Sequence, residues 1–151
     1  MAGAATWFLS LLSSVYLGIA EEARAEALRA LGTGGNTRFR PAPLTDVLIG
    51  QMEAAFQTAQ AVRDQVVGQL DQDRSDAQAA VARAILCRQV VVSQAQVTLQ
   101  HAVAIVGGRA YFRTSPLERL ARDMAAGQFH PPAEPTSFQM LGERIRQAST
   151  G

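Results

Sequence analysis

Residues 104–123 read Ala-Ile-Val-Gly-Gly-Arg-Ala-Tyr-Phe-Arg-Thr-Ser-Pro-Leu-Glu-Arg-Leu-Ala-Arg-Asp. An apolar helical run meets two glycines, Gly107 and Gly108, which supply a carboxy-terminal helix stop. A short linker follows, and Ser115-Pro116-Leu117-Glu118 opens a new helix with Ser as N-cap, Pro at the first helical position and Glu at the third. The Ser side chain can accept from an orphan first-turn N–H, and Pro sits where a missing N–H costs nothing. The stretch therefore predicts a long helix, a sharp stop and a second helix.

Outward from it, almost everything has helical periodicity. A first helix is predicted from about Ala5 to Leu31, with Trp7, Leu11, Val15 and Gly18/Ile19 as its inward stripe and Glu21, Glu22, Arg24 and Glu26 on the polar face. Gly32, Gly34, Gly35 and Asn36 end it. A second runs from about Leu44 to Asp71, with a stripe of Leu44, Val47/Leu48, Met52, Ala55/Phe56, Ala59, Val62 and Val66. Ser75 with Gln78 forms a capping-box pattern for a third helix. It reaches Val106 and carries Val81, Ile85, Val91/Val92, Leu99, Ala102 and Ile105/Val106. The Ser115-capped helix ends near Gly127; Pro131, Pro132 and Pro135 break the next segment. Thr136 with Gln139 starts a terminal helix to about Gln147. No strand-like alternation or repeat is present. The expectation is one all-α domain spanning residues 1–151, an up-and-down four-helix-type bundle with a short C-terminal helical hairpin.

At 151 residues, 48% apolar and 18% charged, the chain is long enough for one core and too apolar to be disordered. All 14 of its basic residues are Arg, against 13 acidic ones. They are scattered rather than striped, which argues against a nucleic-acid surface. The one cysteine, Cys87, excludes an internal disulfide and reads as a buried, inert thiol in a reducing, cytoplasmic setting. The run Thr6 to Ala20 lacks a preceding positive charge and is shorter than the ~20 apolar residues of a membrane span, so a core helix is expected rather than a signal or an anchor. His101, His130 and Cys87 have no metal-ligand spacing.

The stop at Gly107–Gly108, Tyr111, Pro116 and the Arg122-Asp123 pair together resemble the carboxy-terminal helical domain of acyl-CoA dehydrogenases and their flavin-monooxygenase relatives. Val15-Tyr16-Leu17-Gly18-Ile19-Ala20 looks like the opening helix of the variant, type 2, form of that domain. The resemblance covers Phe8 to about Gln139 and is most specific from Ala104 to Asp123. It implies FAD, or FMN, as cofactor, and a homo-oligomer or a partner subunit carrying the missing flavin-binding domains. From the length of the apolar run and the residue spacing, neither a membrane nor a metal is expected. In the family the Gly-Gly turn approaches the pyrophosphate or adenosine portion of a neighbouring subunit's FAD, and removal of Cβ lets backbone N–H groups approach an anion closely. Gly107 and Gly108 are thus cofactor-binding candidates. Arg38, in a loose match to the family's Arg-x-x-Phe-Gly turn, is a third, with Arg40 as its alternate. Ala104 and Ala110 depart from the Gln and Gly of many members.

Ordinary acyl-CoA dehydrogenases take the substrate α-proton with the Glu of a Tyr-Glu-Gly-Thr segment. Counted from Arg122, His130 falls at the Tyr position and Pro131, which cannot accept a proton, at the Glu position. Glu134 lies further along and replaces the base only if the loop takes another path. Two-component flavin monooxygenases of this fold carry a His at the His130 offset, where an imidazole either hydrogen-bonds a flavin hydroperoxide or takes a phenolic proton. Catalytic candidates are therefore His130 and Glu134. Arg122-Asp123 reads as an anchor through salt bridges or caps. Three functions follow: the C-terminal part of a dehydrogenase-like flavin oxidoreductase, inactive on its own; the oxygenase component of a reduced-flavin monooxygenase; or a non-catalytic helical assembly module.

Overall fold

A computed structural model describes residues 2–32, 42–72 and 76–149. Five helices follow in order: α1 Ala2–Gly32, α2 Ala42–Gln72, α3 Ala77–Val106, α4 Pro116–Ala125 and α5 Glu134–Ala148. Two 3₁₀ turns, Gly107–Tyr111 and Ala126–Phe129, flank α4. The described residues contain no strand, as the helical periodicity predicts.

Helix α3 is the axis of the bundle. Leu9 packs with Ala84 and Ile85, and Ser13 meets Cys87, so α1 and α3 advance side by side in the same direction. Between them α2 runs the other way, its Glu53 receiving Arg24 from the far half of α1. The Arg24 guanidinium also lies 5.2 Å above the Phe56 ring, a cation–π contact that joins the same two helices. After Gly107 the chain turns back. The start of α4 lies near Ala30 and Val106. Its far end brings Gly127 against Tyr16 and Val92. Helix α5 continues down α3, with Leu141 on Ile85 and Arg144 facing Asp76 at 3.7 Å. The two short helices together supply the fourth member of the bundle.

The turn chemistry is as the sequence predicts at its two strongest points. Gly107 adopts φ 73°, a conformation that suits glycine. Ser115 caps α4, its side chain accepting from Leu117 N–H, with Pro116 in the first turn. At two other starts the cap differs. Asp76, not Ser75, is N-cap of α3, its carboxylate accepting from Ala79 N–H at 2.9 Å; Ser75 lies outside the described residues. Helix α5 begins at Glu134, before Thr136, because Pro135 falls in its first turn, where the ring's lost N–H would have had no intrahelical partner.

The inward face of α1 is not the predicted stripe. Trp7, Leu11 and Val15 are 60%, 62% and 58% exposed, while Leu9, Ser13, Tyr16, Leu17, Ala20, Ala23 and Ala27 are buried. The helix is apolar on several sides, so periodicity admits more than one stripe. The face rich in Ala and Ser wins because small side chains let it pack closely on α3. Leu44 and Val47 of α2 are likewise exposed, while Met52, Ala55, Phe56, Ala59 and Val66 are buried as expected. By length and composition alone Gly3–Gly32 and Ala77–Tyr111 reach the apolarity of a membrane span. Within the bundle, α1 and α3 turn apolar faces towards each other.

Two glycines give opposite expectations. A Cβ on Gly127 would stand 3.0 Å from Tyr16 Cε1 and 3.1 Å from Val92 Cγ1, whereas one on Gly142 meets nothing within 4 Å. In chemical denaturation, Gly127→Ala is expected to lower stability by about 1–3 kcal/mol through overpacking. Gly142→Ala, exposed inside α5, is expected to raise it by roughly 0.5–1 kcal/mol.

Candidate functional site

The strongest polar feature of the interior is Arg88, which no sequence motif marks. It sits at mid-length on α3 with 1% of its surface exposed. Its guanidinium donates to three backbone carbonyls of the segment joining α4 to α5: Gly127 O at 2.6 Å, His130 O at 2.8 Å and Pro132 O at 2.9 Å. Pro131 and Pro132 bring no N–H to this turn, and its three carbonyls take their donor from a side chain of another helix. Ser137 of α5 adds a second donor to Pro132 O at 3.1 Å. Burial pushes the Arg88 pKa down, opposed by Tyr16 and Glu134; a guanidinium remains charged regardless.

His130 is fastened at both backbone and ring. Its carbonyl is held by Arg88, and its ring Nδ1 lies 2.8 Å from Tyr16 Oη and 3.0 Å from the Ala126 carbonyl oxygen. The Tyr16 and His130 rings meet edge to face at a centroid separation of 5.9 Å. Tyr16 is 2% exposed, and burial raises its pKa, with the Arg88 charge pulling the other way. The phenol therefore stays protonated and neutral. Glu134, the other catalytic candidate, is exposed at the first turn of α5 and within electrostatic reach of Arg88.

Gly107 and Gly108 lie at the opposite end of α4. Ten helical residues and a four-residue 3₁₀ turn separate the two places, on the order of 20 Å at ~1.5–2 Å per residue. The two groups of candidates are thus not walls of one small pocket. The glycines differ from each other. Gly107 has the positive φ that its backbone requires. Gly108 does not, and a Cβ there would meet nothing within 4 Å. Around it Arg109, Tyr111 and Phe112 are exposed. A cleft of about 310 Å³ opens beside it, lined by Arg29, Val106, Arg109, Phe112, Ser115 and Pro116 among others. Arg38 lies outside the described residues.

Cys87 is buried and hydrogen-bonded to Ser13, and burial raises its thiol pKa, as expected of an inert thiol. Arg122 pairs with Glu118 of its own helix at 3.2 Å. An i, i+4 surface pair supports α4 locally and does not anchor one element to another. Among the described residues no cluster of His, Cys, Asp and Glu can hold a metal ion.

The fold agrees with what comparison with known proteins finds. Residues 10–135 match the family of acyl-CoA dehydrogenase C-terminal domains, and the chain belongs to that family. Its members are acyl-CoA dehydrogenase-like proteins, which are generally flavoproteins and typically oligomeric. Among solved structures, the nitroalkane oxidase of Podospora anserina superposes with a TM-score of 0.84 at 15% identity, covering 95% of this chain and 34% of that one. KijD3 in complex with dTDP gives 0.83 at 24% identity, covering 97% and 39%. The nitrososynthase of Micromonospora carbonacea var. africana gives 0.77 at 21%, covering 91% and 39%. The chain thus spans little more than a third of the length of these structures. Direct comparison with curated proteins gives no match.

Replacing Arg88 by Met keeps much of its volume but leaves the Gly127 and His130 carbonyls without their donor, Pro132 O keeping Ser137. Each buried unsatisfied group costs about 1–3 kcal/mol. A loss of roughly 3–5 kcal/mol in urea-unfolding free energy is expected, accompanied by faster proteolysis between Gly127 and Ala133. Arg88→Lys, with fewer donors and no planar fork, should recover only part of it.

Proposed function

We propose that this chain is the C-terminal helical part of an FAD-dependent oxidoreductase, in which the Gly107–Gly108 turn receives the pyrophosphate or adenosine portion of a cofactor bound mainly by other domains. One observation carries this reading. The fold accounts for Gly107 through its positive φ, but neither backbone strain nor crowding within the chain accounts for Gly108. A bare backbone at an exposed turn, next to Arg109 and the capped start of α4, suits an anion that must come close. FAD, when bound, supplies the electron-accepting ring. The residues of this chain would hold its phosphate-bearing end and shape the protein wall near the reacting centre. FMN, which lacks the adenosine portion, would leave the Gly108 turn without a partner.

The same reading gives a purpose to the outer face of α1. Trp7, Leu11 and Val15 form an exposed apolar stripe at helical spacing. Stripes of this kind mark contact surfaces. The chain is proposed to oligomerise through it or to cover it with a subunit carrying the flavin-binding domains, in the cytoplasm. The paired substitution Leu11→Glu and Val15→Glu is expected to leave helix content unchanged while lowering the sedimentation coefficient to that of the smaller species.

Between dehydrogenase and monooxygenase, His130 favours the second. Its ring is fixed by Tyr16 and Ala126, whereas Glu134 projects from an exposed first turn. Nitroalkane oxidase and nitrososynthase, among the structures it resembles, are named for oxidations of nitrogen compounds. A substrate whose O–H or N–H must be deprotonated suits an imidazole better than it suits Pro131.

In the flavin-loaded protein, Gly108→Val is expected to weaken FAD binding by at least tenfold while leaving the thermal unfolding of the isolated chain unchanged. Full affinity in that variant, by fluorescence titration of FAD, would reduce the turn to a helix stop.

A further inference from the structure

The Ala126 carbonyl is an acceptor only, so its 3.0 Å hydrogen bond to His130 Nδ1 requires a hydrogen on that nitrogen. Tyr16 Oη, 2.8 Å from the same nitrogen, can then serve as a second acceptor for the shared hydrogen. In the opposite tautomer the Nδ1 lone pair would face the carbonyl oxygen, exchanging an attraction for a repulsion. Nε2 makes no hydrogen bond to any described residue, and His130 is only half-buried.

From this geometry we propose that Tyr16 and the Ala126 carbonyl lock His130 as the neutral Nδ1–H tautomer, making Nε2 a proton acceptor. The proposal rests on the reading that His130 faces the reacting centre, and it chooses between the two duties an imidazole can perform there. With a lone pair on Nε2, the ring accepts; it does not donate a hydrogen bond to an oxidised group. The matching ligand carries an acidic O–H or N–H. The lone pair takes that proton, the ligand keeps the bonding electrons as an anion, and the new imidazolium still shares its Nδ1 hydrogen with the two oxygens. Tyr16 acts through His130 and is a positioning residue. Its ring packing on Gly127 and Val92 is separable from its hydroxyl.

The chain has only two histidines, so long-range nitrogen–proton correlation spectra of the ¹⁵N-labelled protein resolve the tautomer, with His101→Gln distinguishing the two rings. At alkaline pH, where histidine is neutral, His130 should show a protonated, pyrrole-like Nδ1 and a bare, pyridine-like Nε2. A protonated Nε2 overturns the proposal. Tyr16→Phe keeps the aromatic ring and removes the second acceptor, so the fraction of Nε2–H tautomer should rise; an unchanged tautomer ratio in a folded Tyr16→Phe protein removes Tyr16 from the role. In the flavin-loaded protein, His130→Gln should cost about 10²–10⁴-fold in the proton-abstraction step, with FAD affinity unchanged. Loss of FAD binding in the wild type would defeat the flavin reading alone, since the tautomer is read without cofactor.

Discussion

A single buried cation holds the lower half of this bundle together. Arg88 is charged and nearly inaccessible, and no carboxylate among the described residues hydrogen-bonds to it; three carbonyl dipoles offset its desolvation instead. Taking an ion out of water without compensation costs several kcal/mol, so the guanidinium and the α4–α5 segment depend on each other. Without Arg88 the Gly127 and His130 carbonyls lose their donor. Without the turn, Arg88 is an unpaired charge in the core. The planar fork explains the residue type: two separated nitrogens reach three carbonyls at once, where an ammonium is a single point of donation.

The consequences run outward from that point. Fixing Gly127 O seats the end of α4 on Tyr16 and Val92, where only glycine fits without displacement. Fixing His130 O sets the ring against Tyr16, and fixing Pro132 O, with Ser137, sets the start of α5. The fourth member of the bundle can therefore be two short helices rather than one long one. The break between them is stiffened from α3, and the break is where the chain carries His130.

Local backbone chemistry was legible in the sequence, and long-range side-chain chemistry was not. The Gly107 stop and the Ser115-Pro116 start are written in residues whose conformational preferences act within one turn, and both occur as read. The buried face of α1 differs from the expected stripe because Trp7, Leu11 and Val15 obey the same 3.6 period as Leu9, Ser13, Tyr16 and Ala20; periodicity detects a face but cannot say which of two apolar faces meets the core. Small residues mark the buried one, since close helix packing selects for them. Arg88 left no local signal: in Leu86-Cys87-Arg88-Gln89 it looks like a surface arginine. The lone hint is its place three positions before Val91, on the same apolar face of the helix. Its partners are main-chain carbonyls, which have no letter in a sequence.

The division between what the fold needs and what it does not is sharper at the level of single residues than at the level of elements. Gly107 is required by its φ and Gly127 by its neighbours; Gly108 by neither. The Arg88 knot uses the backbone oxygen of His130, which any residue would supply, so the imidazole is extra to it. The buried face of α1 is complete without Trp7, Leu11 and Val15. These three surpluses occupy separate parts of the molecule: one end of α4, the other end of α4, and the outside of α1. A helical module that served only to fold would have no use for any of them, and one that served only to assemble would need the α1 stripe alone. The proposed flavin-bearing assembly would use all three, gripping an extended cofactor at one place, handling a proton at another and being covered along a third, and that pattern supports the proposal over a purely structural role.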